Sequence, residues 1–157
     1  MIVFQNLSRL IIPSDKEMID IIVGKVVESI NELYKVVSDL VTGEDNLDSI
    51  SSIGFGLSLA IDEALKNSIE HGNLNDKTKL IQLEYYIDPK KIRIKVTDQG
   101  KGFDYKFIES KNIDPESESG RGILLIKNFM DEVSWNESGN EITMIKYRKP
   151  ASRGVKR

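Results

Sequence analysis

The sequence predicts an α+β domain, with helices packed on one face of a mixed, mainly antiparallel sheet. Three observations predict it. Two long stretches carry apolar residues at a helical period. Two pairs of short segments alternate apolar and polar residues on either side of a turn. Strands do not alternate regularly with helices, which argues against a doubly wound parallel sheet.

Taken in order, "FQNLSRLII" reads as an opening strand. "PSDKE" then starts a helix, with Ser14 as N-cap and Glu17 three residues on, as in a capping box. Apolar residues follow at 18/19, 22/23, 26/27, 30, 33/34, 37 and 40/41, a helical stripe held to about Val41. "TGEDNLDS" is a connecting loop. A second helix is expected from about Ser52 to His71, stopped by Gly72, with Leu57, Ala60, Ile61, Ala64, Leu65 and Ser68 as its inner stripe. "LIQLEYYI" and "IRIKVTD" alternate around "DPKK", so they form a hairpin with Ile81, Leu83, Tyr85, Ile87, Ile92, Ile94 and Val96 on its buried face. Residues 99–119 read as a mobile loop, with a short helix near "YKFIES". "RGILLIKNFMDEV" is helical, and "VSWNESGNEITMIKY" closes the domain as a hairpin turning at "SGN". The domain is expected over residues 1–148, followed by a basic, disordered tail at 149–157.

Composition narrows the function. A chain of 157 residues, 39% hydrophobic and 30% charged, suits one soluble globular domain with a real core. A net charge of −3 supplies no basic field for a nucleic acid. The absence of cysteine excludes disulfides, thiol catalysis and Cys-based zinc sites. A single histidine leaves no multi-His metal site and little room for Ser-His catalysis. No secretion signal and no membrane span is expected, so the protein is read as cytoplasmic.

Three segments carry candidate chemistry. In "EALKNSIEHGN", Glu63, Asn67 and Glu70 follow at i, i+4, i+7, and His71 lies four residues after Asn67. Their oxygens are hard ligands suited to Mg²⁺, and a carboxylate one turn away can serve as a general base. In "VTDQGKGFD", Asp98 ends a strand where it can accept from a ligand amino group, and Gly100 and Gly102 let the backbone approach closely. In "SGRGILLIKNFMDEV", Gly120 and Gly122 flank Arg121 at the start of a helix, whose N-terminus favours phosphate. Each alone reads equally as ordinary structure: a solvated helix face, a tight turn, a helix start. No Walker A loop, G-x-G-x-x-G fingerprint, H-R-D or D-F-G motif occurs.

In this order and spacing the segments resemble the N, G1 and G2 boxes of the GHKL ATPase superfamily. "DEALKNSIEHGN" resembles the N box, "DQGKG" the D-x-G-x-G of G1, and "GRG" with "ILLIKNFMDEV" resembles G2. The combination is most similar to the bacterial anti-sigma-factor serine kinases. The resemblance implies the Bergerat ATP-binding fold, a two-layer α/β sandwich. It implies ATP and Mg²⁺ as cofactors. Asn67 would ligate Mg²⁺, Glu63 would be the general base toward a substrate serine, and Asp98 would recognise the adenine amino group. Gly100 and Gly102 would shape the adenine end, Gly120 and Gly122 the phosphate end, and residues 103–119 would be the ATP lid. His71 would fix the helix end through a side-chain hydrogen bond. Arg121 would be the principal cation near the γ-phosphate, since the lid offers only Lys106 and Lys111. Glu70 receives no role.

The implied function is an anti-sigma factor and protein-serine kinase. It would sequester a sigma factor, phosphorylate a STAS-type anti-anti-sigma protein, act as a homodimer through the long first helix, and touch neither nucleic acid nor membrane. Two other readings stay open: a nucleotide-gated binding regulator with little kinase activity, and a detached histidine-kinase-like ATPase domain. His71 lies inside the N box and the first helix has no histidine, which argues against self-contained autophosphorylation.

Overall fold

The computed structural model describes residues 7–42, 48–104, 116 and 118–148. The chain runs β1 (Leu7–Pro13), a 3₁₀ turn (Lys16–Met18), α1 (Ile19–Thr42), α2 (Asp48–Asn67), a π-helical turn (Ser68–Gly72), β2 (Leu80–Ile87), β3 (Lys91–Asp98), α3 (Glu118–Phe129), β4 (Glu132–Trp135) and β5 (Glu141–Tyr147). The strands form one five-stranded sheet in the order β1-β2-β3-β5-β4. The sheet expected as mixed and mainly antiparallel is antiparallel in every pairing of the described strands. The short helix expected near residue 105, most of the lid and the tail at 149–157 lie outside the described residues.

Helices cover one face, and the alternation of the strands sets which face that is. Ile81, Leu83, Tyr85 and Ile87 of β2 and Ile92, Ile94 and Val96 of β3 point into a single core. Against them lie Ile19, Val23, Val26, Ile30, Tyr34 and Val37 of α1, spaced three and four apart, and Leu57, Ala60, Ile61, Ala64 and Leu65 of α2. Each aliphatic side chain so removed from water stabilises the fold by about 1.5–3 kcal/mol. α3 packs on α2 closely enough that a Cβ on Gly56 would stand 2.8 Å from the Phe129 ring.

Several helix ends differ from expectation: α2 begins at Asp48 rather than near Ser52, and α3 runs Glu118–Phe129, so that Glu132 and Val133 belong to β4 and not to the helix. Ser14 does not cap α1. Its N–H donates to the Lys79 carbonyl (3.1 Å), extending the sheet, and its buried Oγ has no hydrogen-bond partner among the described residues. Asp15, free of the ladder, takes the capping position, accepting from the Glu17 N–H at 3.2 Å, and a 3₁₀ turn precedes α1. At the far end of α2 the helical run stops at Gly72 as expected, but its last turn is π rather than α. The Asn73 N–H closes that turn on the Ser68 carbonyl at 2.7 Å. Leu74 and Asn75 then turn the chain with φ of 55° and 58°.

Candidate functional site

The alternation that builds the core also builds the site. Ile92, Ile94, Val96 and Asp98 occupy successive inward positions of β3, the central strand. The fourth inward position holds a carboxylate, which therefore ends on the helix-covered face, 9% exposed, beneath the π turn. Two glycines let the backbone close around it, and a third shapes the loop that follows. A Cβ on Gly72 would collide with the Asp98 carboxylate, and a Cβ on Gly100 would collide with the Gly72 carbonyl. Gly102 has φ +78°, and a Cβ there would strike the Ser138 carbonyl. Asp98 Oδ1 accepts from the Gly100 N–H at 2.8 Å. Burial pushes its pKa up, while that bond and the nearby Lys79 charge oppose the shift.

A cavity of about 290 Å³ opens over Asp98. Its walls are largely apolar, from Ala64, Val96, Phe103, Ile123, Trp135 and Ile142. Beside it lies a second, more open cavity of about 360 Å³, lined by Glu63, Lys66, Asn67, Glu70, His71, Arg121, Gly122 and Leu125. Asn67 and His71 line both. Asn67 ends α2, and its side chain makes no capping bond. Glu63, one turn earlier, faces α3 at Gly122, where a Cβ would come within 2.5 Å of Glu63 Oε2. Burial raises the pKa of Glu63, assisted by the charges of Asp62 and Glu70 and opposed by Lys66.

The structure thus gathers Glu63, Asn67, Asp98, Gly100, Gly102, Arg121 and Gly122 around two adjoining cavities. Gly120 is buried in the first turn of α3, one residue before Arg121, and lines neither of these two cavities. Both glycines therefore lie within α3, which begins at Glu118. Gly122 serves the close approach of α3 to α2. Glu70 gains a role: its Oε1 binds the Lys16 ammonium at 2.6 Å and ties the β1–α1 connection to the helix end. The side-chain hydrogen bond expected of His71 is absent among the described residues. The ring is 56% exposed and approaches Glu70 Oε2 only at 4.0 Å.

Asn73 holds the helix end instead. It is fully buried, its Oδ1 accepts from the Gln99 N–H at 2.9 Å, and its Nδ2 donates to the Leu80 carbonyl at 3.2 Å. The sequence reading quoted Asn73 within "HGN" without giving it work. It also missed Lys66, Phe103, Trp135 and Asn140. Asn140 exchanges backbone and side-chain bonds with Asp98: the Asp98 N–H donates to the Asn140 carbonyl at 3.0 Å, and Asn140 Nδ2 donates to the Asp98 carbonyl at 3.1 Å. Lys66 lies on α2 between Glu63 and Asn67, whereas Phe103, Trp135 and Asn140 meet only through the pairing of β3 with β5 and of β5 with β4, so no local signal marks those three.

Residues 25–146 match the histidine kinase-like ATPase domain. The chain belongs to that family. Its match extends from within α1 through β5 and so includes every candidate site residue. The chain is also similar to the serine-protein kinase RsbW of Staphylococcus epidermidis, 38% identical over 101 residues, a match covering 58% of this chain and 64% of that protein. RsbW of Staphylococcus aureus strain Newman is similar to the same degree, 38% over 101 residues with the same coverage. The chain thus spans a little under two thirds of the length of these relatives.

A histidine kinase-like ATPase domain implies ATP use, and the residues present fit that nucleotide. A buried carboxylate in an apolar cavity offers acceptors for an exocyclic amino group, and the close backbone approach that Gly72 and Gly100 permit holds it there. The adjoining polar cavity offers the Arg121 and Lys66 cations for phosphate. No group of three or more His, Cys, Asp or Glu suited to a metal occurs among the described residues. Mg²⁺ needs only one or two protein oxygens and completes its shell with phosphates and water.

Proposed function

We propose that this chain is an ATP-dependent protein-serine kinase and anti-sigma factor of a partner-switching circuit. One observation carries the reading. The Glu63 carboxylate and the Asn67 amide stand one turn apart on α2 and open into the same cavity as Arg121, which adjoins the cavity over Asp98. A general base, a metal-holding oxygen and a cation lie beside a base-recognition pocket, which is what phosphoryl transfer asks of a protein.

In this reading Asp98 accepts from the adenine amino group and the apolar cavity holds the ring. Asn67 would hold Mg²⁺ through its side-chain oxygen; the ion supplies charge neutralisation at the phosphates. Arg121 stands at the phosphate end. Lys66 faces the same cavity, paired to Asp62 at 2.5 Å. Glu63 takes the proton of the substrate serine hydroxyl. The new bond joins serine oxygen to the γ-phosphorus, the β–γ bridging bond breaks, and ADP leaves. Burial of Glu63 supports the role, since a raised pKa makes a carboxylate a better proton acceptor.

The phosphoryl acceptor in this proposal is a STAS-type anti-anti-sigma protein, and the sequestered partner is a sigma factor. The names of the RsbW relatives support a serine kinase. A homodimer is proposed on α1, whose outer face exposes Ile21 and Val36 at 56% and 52%. The proposed setting is the cytoplasm. No helix among the described residues is long and apolar enough to cross a membrane. The test is labelled ATP with Mg²⁺ and candidate STAS proteins. Label should pass to a serine with wild type and fail with Glu63→Ala, which should still bind ATP. Tight ATP binding with transfer to no candidate would overturn the kinase reading in favour of a nucleotide-gated regulator.

A further inference from the structure

The chain has one tryptophan, and its place is set by strand register. Val96 pairs with Ile142, and Ile142 pairs with Trp135. This row crosses β3, β5 and β4 on the helix-covered face and runs along the cavity over Asp98, which all three residues line. Trp135 belongs to an edge strand and is only half-buried, so part of its large ring remains free to meet another surface. Phe103 stands edge-on to it, with ring centroids 5.8 Å apart at 84°. Phe103 is 43% exposed, and it too lines the cavity.

The backbone holds this pair in place. Gly102 and Gly139 both adopt positive φ, +78° and +76°. A Cβ on Gly102 would strike the Ser138 carbonyl, and a Cβ on Gly139 would strike the Phe103 carbonyl. The loop after Asp98 and the turn between β4 and β5 therefore touch backbone to backbone, an approach that only glycine on each side permits. The Asn140 bonds to Asp98 lock the same turn to the end of β3. On the other side Lys127 Nζ stands 6.0 Å from the centre of the Trp135 ring. The aromatic pair is thus fixed at the cavity edge from both elements that carry it.

We propose that Trp135, backed by Phe103, is an affinity-determining wall of the base subsite, against which the purine of the bound nucleotide packs. The inference rests on the nucleotide pocket proposed above and adds a residue that the phosphate chemistry does not involve. A base contact has a signature. Its loss weakens ATP and ADP equally and raises KM without changing kcat, because it acts on the ring and not on the transferred phosphoryl group.

The test uses the full chain. Because the tryptophan is unique, its emission should change on titration with ATP or ADP and saturate at the stoichiometry found by calorimetry. Trp135→Ala should weaken both nucleotides by the same factor, roughly 5- to 100-fold, the range seen when base–aromatic stacking is removed. Trp135→Phe should stay within about threefold of wild type, since it keeps a π face. Trp135→Leu keeps apolar volume and should bind like the alanine variant, which preserves the test if alanine prevents folding. Nucleotide affinity within twofold of wild type in folded Trp135→Ala or Trp135→Leu would overturn the proposal and leave Trp135 a core residue. So would saturation by calorimetry with unchanged emission. Binding that depends on Trp135 without phosphoryl transfer to any STAS protein would uphold this inference while the kinase reading fails. Absence of nucleotide binding in the wild type would sink both.

Discussion

Burial raises the proton affinity of both Glu63 and Asp98, and the two carboxylates face different consequences. For Glu63 the consequence is kinetic. Phosphoryl transfer should rise with pH as Glu63 loses its proton, with the acid limb centred above the ordinary value of 4.5. Glu63→Gln should remove that limb and lower transfer by about 100- to 10,000-fold, with ATP affinity retained. Single-turnover rates across pH on both proteins check this. For Asp98 the consequence is thermodynamic. Its folded pKa lies above 3.8, so the folded state binds more protons than the unfolded state between those two values. The stability it contributes is therefore fully present below pH 3.8 and is lost as pH rises through the folded value. At neutral pH the buried charge is a burden that Asp98→Asn lifts, and asparagine can still accept from the Gly100 N–H. That variant should unfold at a temperature no lower than wild type at pH 7, with the difference shrinking in acid, yet lose adenine-nucleotide binding. A Tm clearly below wild type at neutral pH would contradict the assignment.

At the scale of elements, the spacing of α2 and α3 decides where Glu63, the proposed base, points. Gly122 lets α3 come close enough to α2 that Glu63 is confined between them. Alanine is about 1 kcal/mol better than glycine in a helix interior. The atom it would displace is the end of a flexible side chain. Gly122→Ala should therefore keep or raise Tm while lowering transfer roughly 10- to 100-fold, because Glu63 must swing aside. Wild-type activity in this variant would show that the base does not need that confinement. The π turn at Ser68–Gly72 works similarly for the proposed adenine end. Its widened backbone, held by Asn73, brings Gly72 over the Asp98 carboxylate. Removing Asn73 would strand the Gln99 N–H and Leu80 carbonyl at the junction of both elements.

The whole molecule is a two-layer sandwich whose site lies between the layers, at the end of the central strand. A nucleotide bound there touches both layers and is linked to global unfolding. At 100 times its Kd, ATP with Mg²⁺ should stabilise the protein by about 2.7 kcal/mol. For a domain of this size that is a rise in Tm of roughly 5–10 °C. Asp98→Asn should show no such rise at the same concentration, which thermal scans with and without nucleotide would reveal. A shift equal to that of wild type would place the nucleotide away from Asp98.

The sequence by itself determined the helical stripes, the alternating hairpins and the resulting two-layer class, because period and turn chemistry are local properties of the chain. It also placed Glu63 and Asn67 on one face of a helix and Asp98 at a strand end, which follow from spacing alone. It mistook Ser14 for a cap, since only the sheet shows that the Ser14 N–H is already committed to Lys79. It left Glu70 without a partner and gave His71 the helix-end hydrogen bonding that Asn73 performs, because Lys16, Gln99 and Leu80 come to that helix end only through space. The tertiary structure alone decided that Trp135, Phe103 and Asn140 line the cavity over Asp98. Those residues come from the loop after β3 and from the β4–β5 hairpin. Their proximity depends on strand register and on two glycine-permitted backbone contacts, neither of which a periodic pattern encodes.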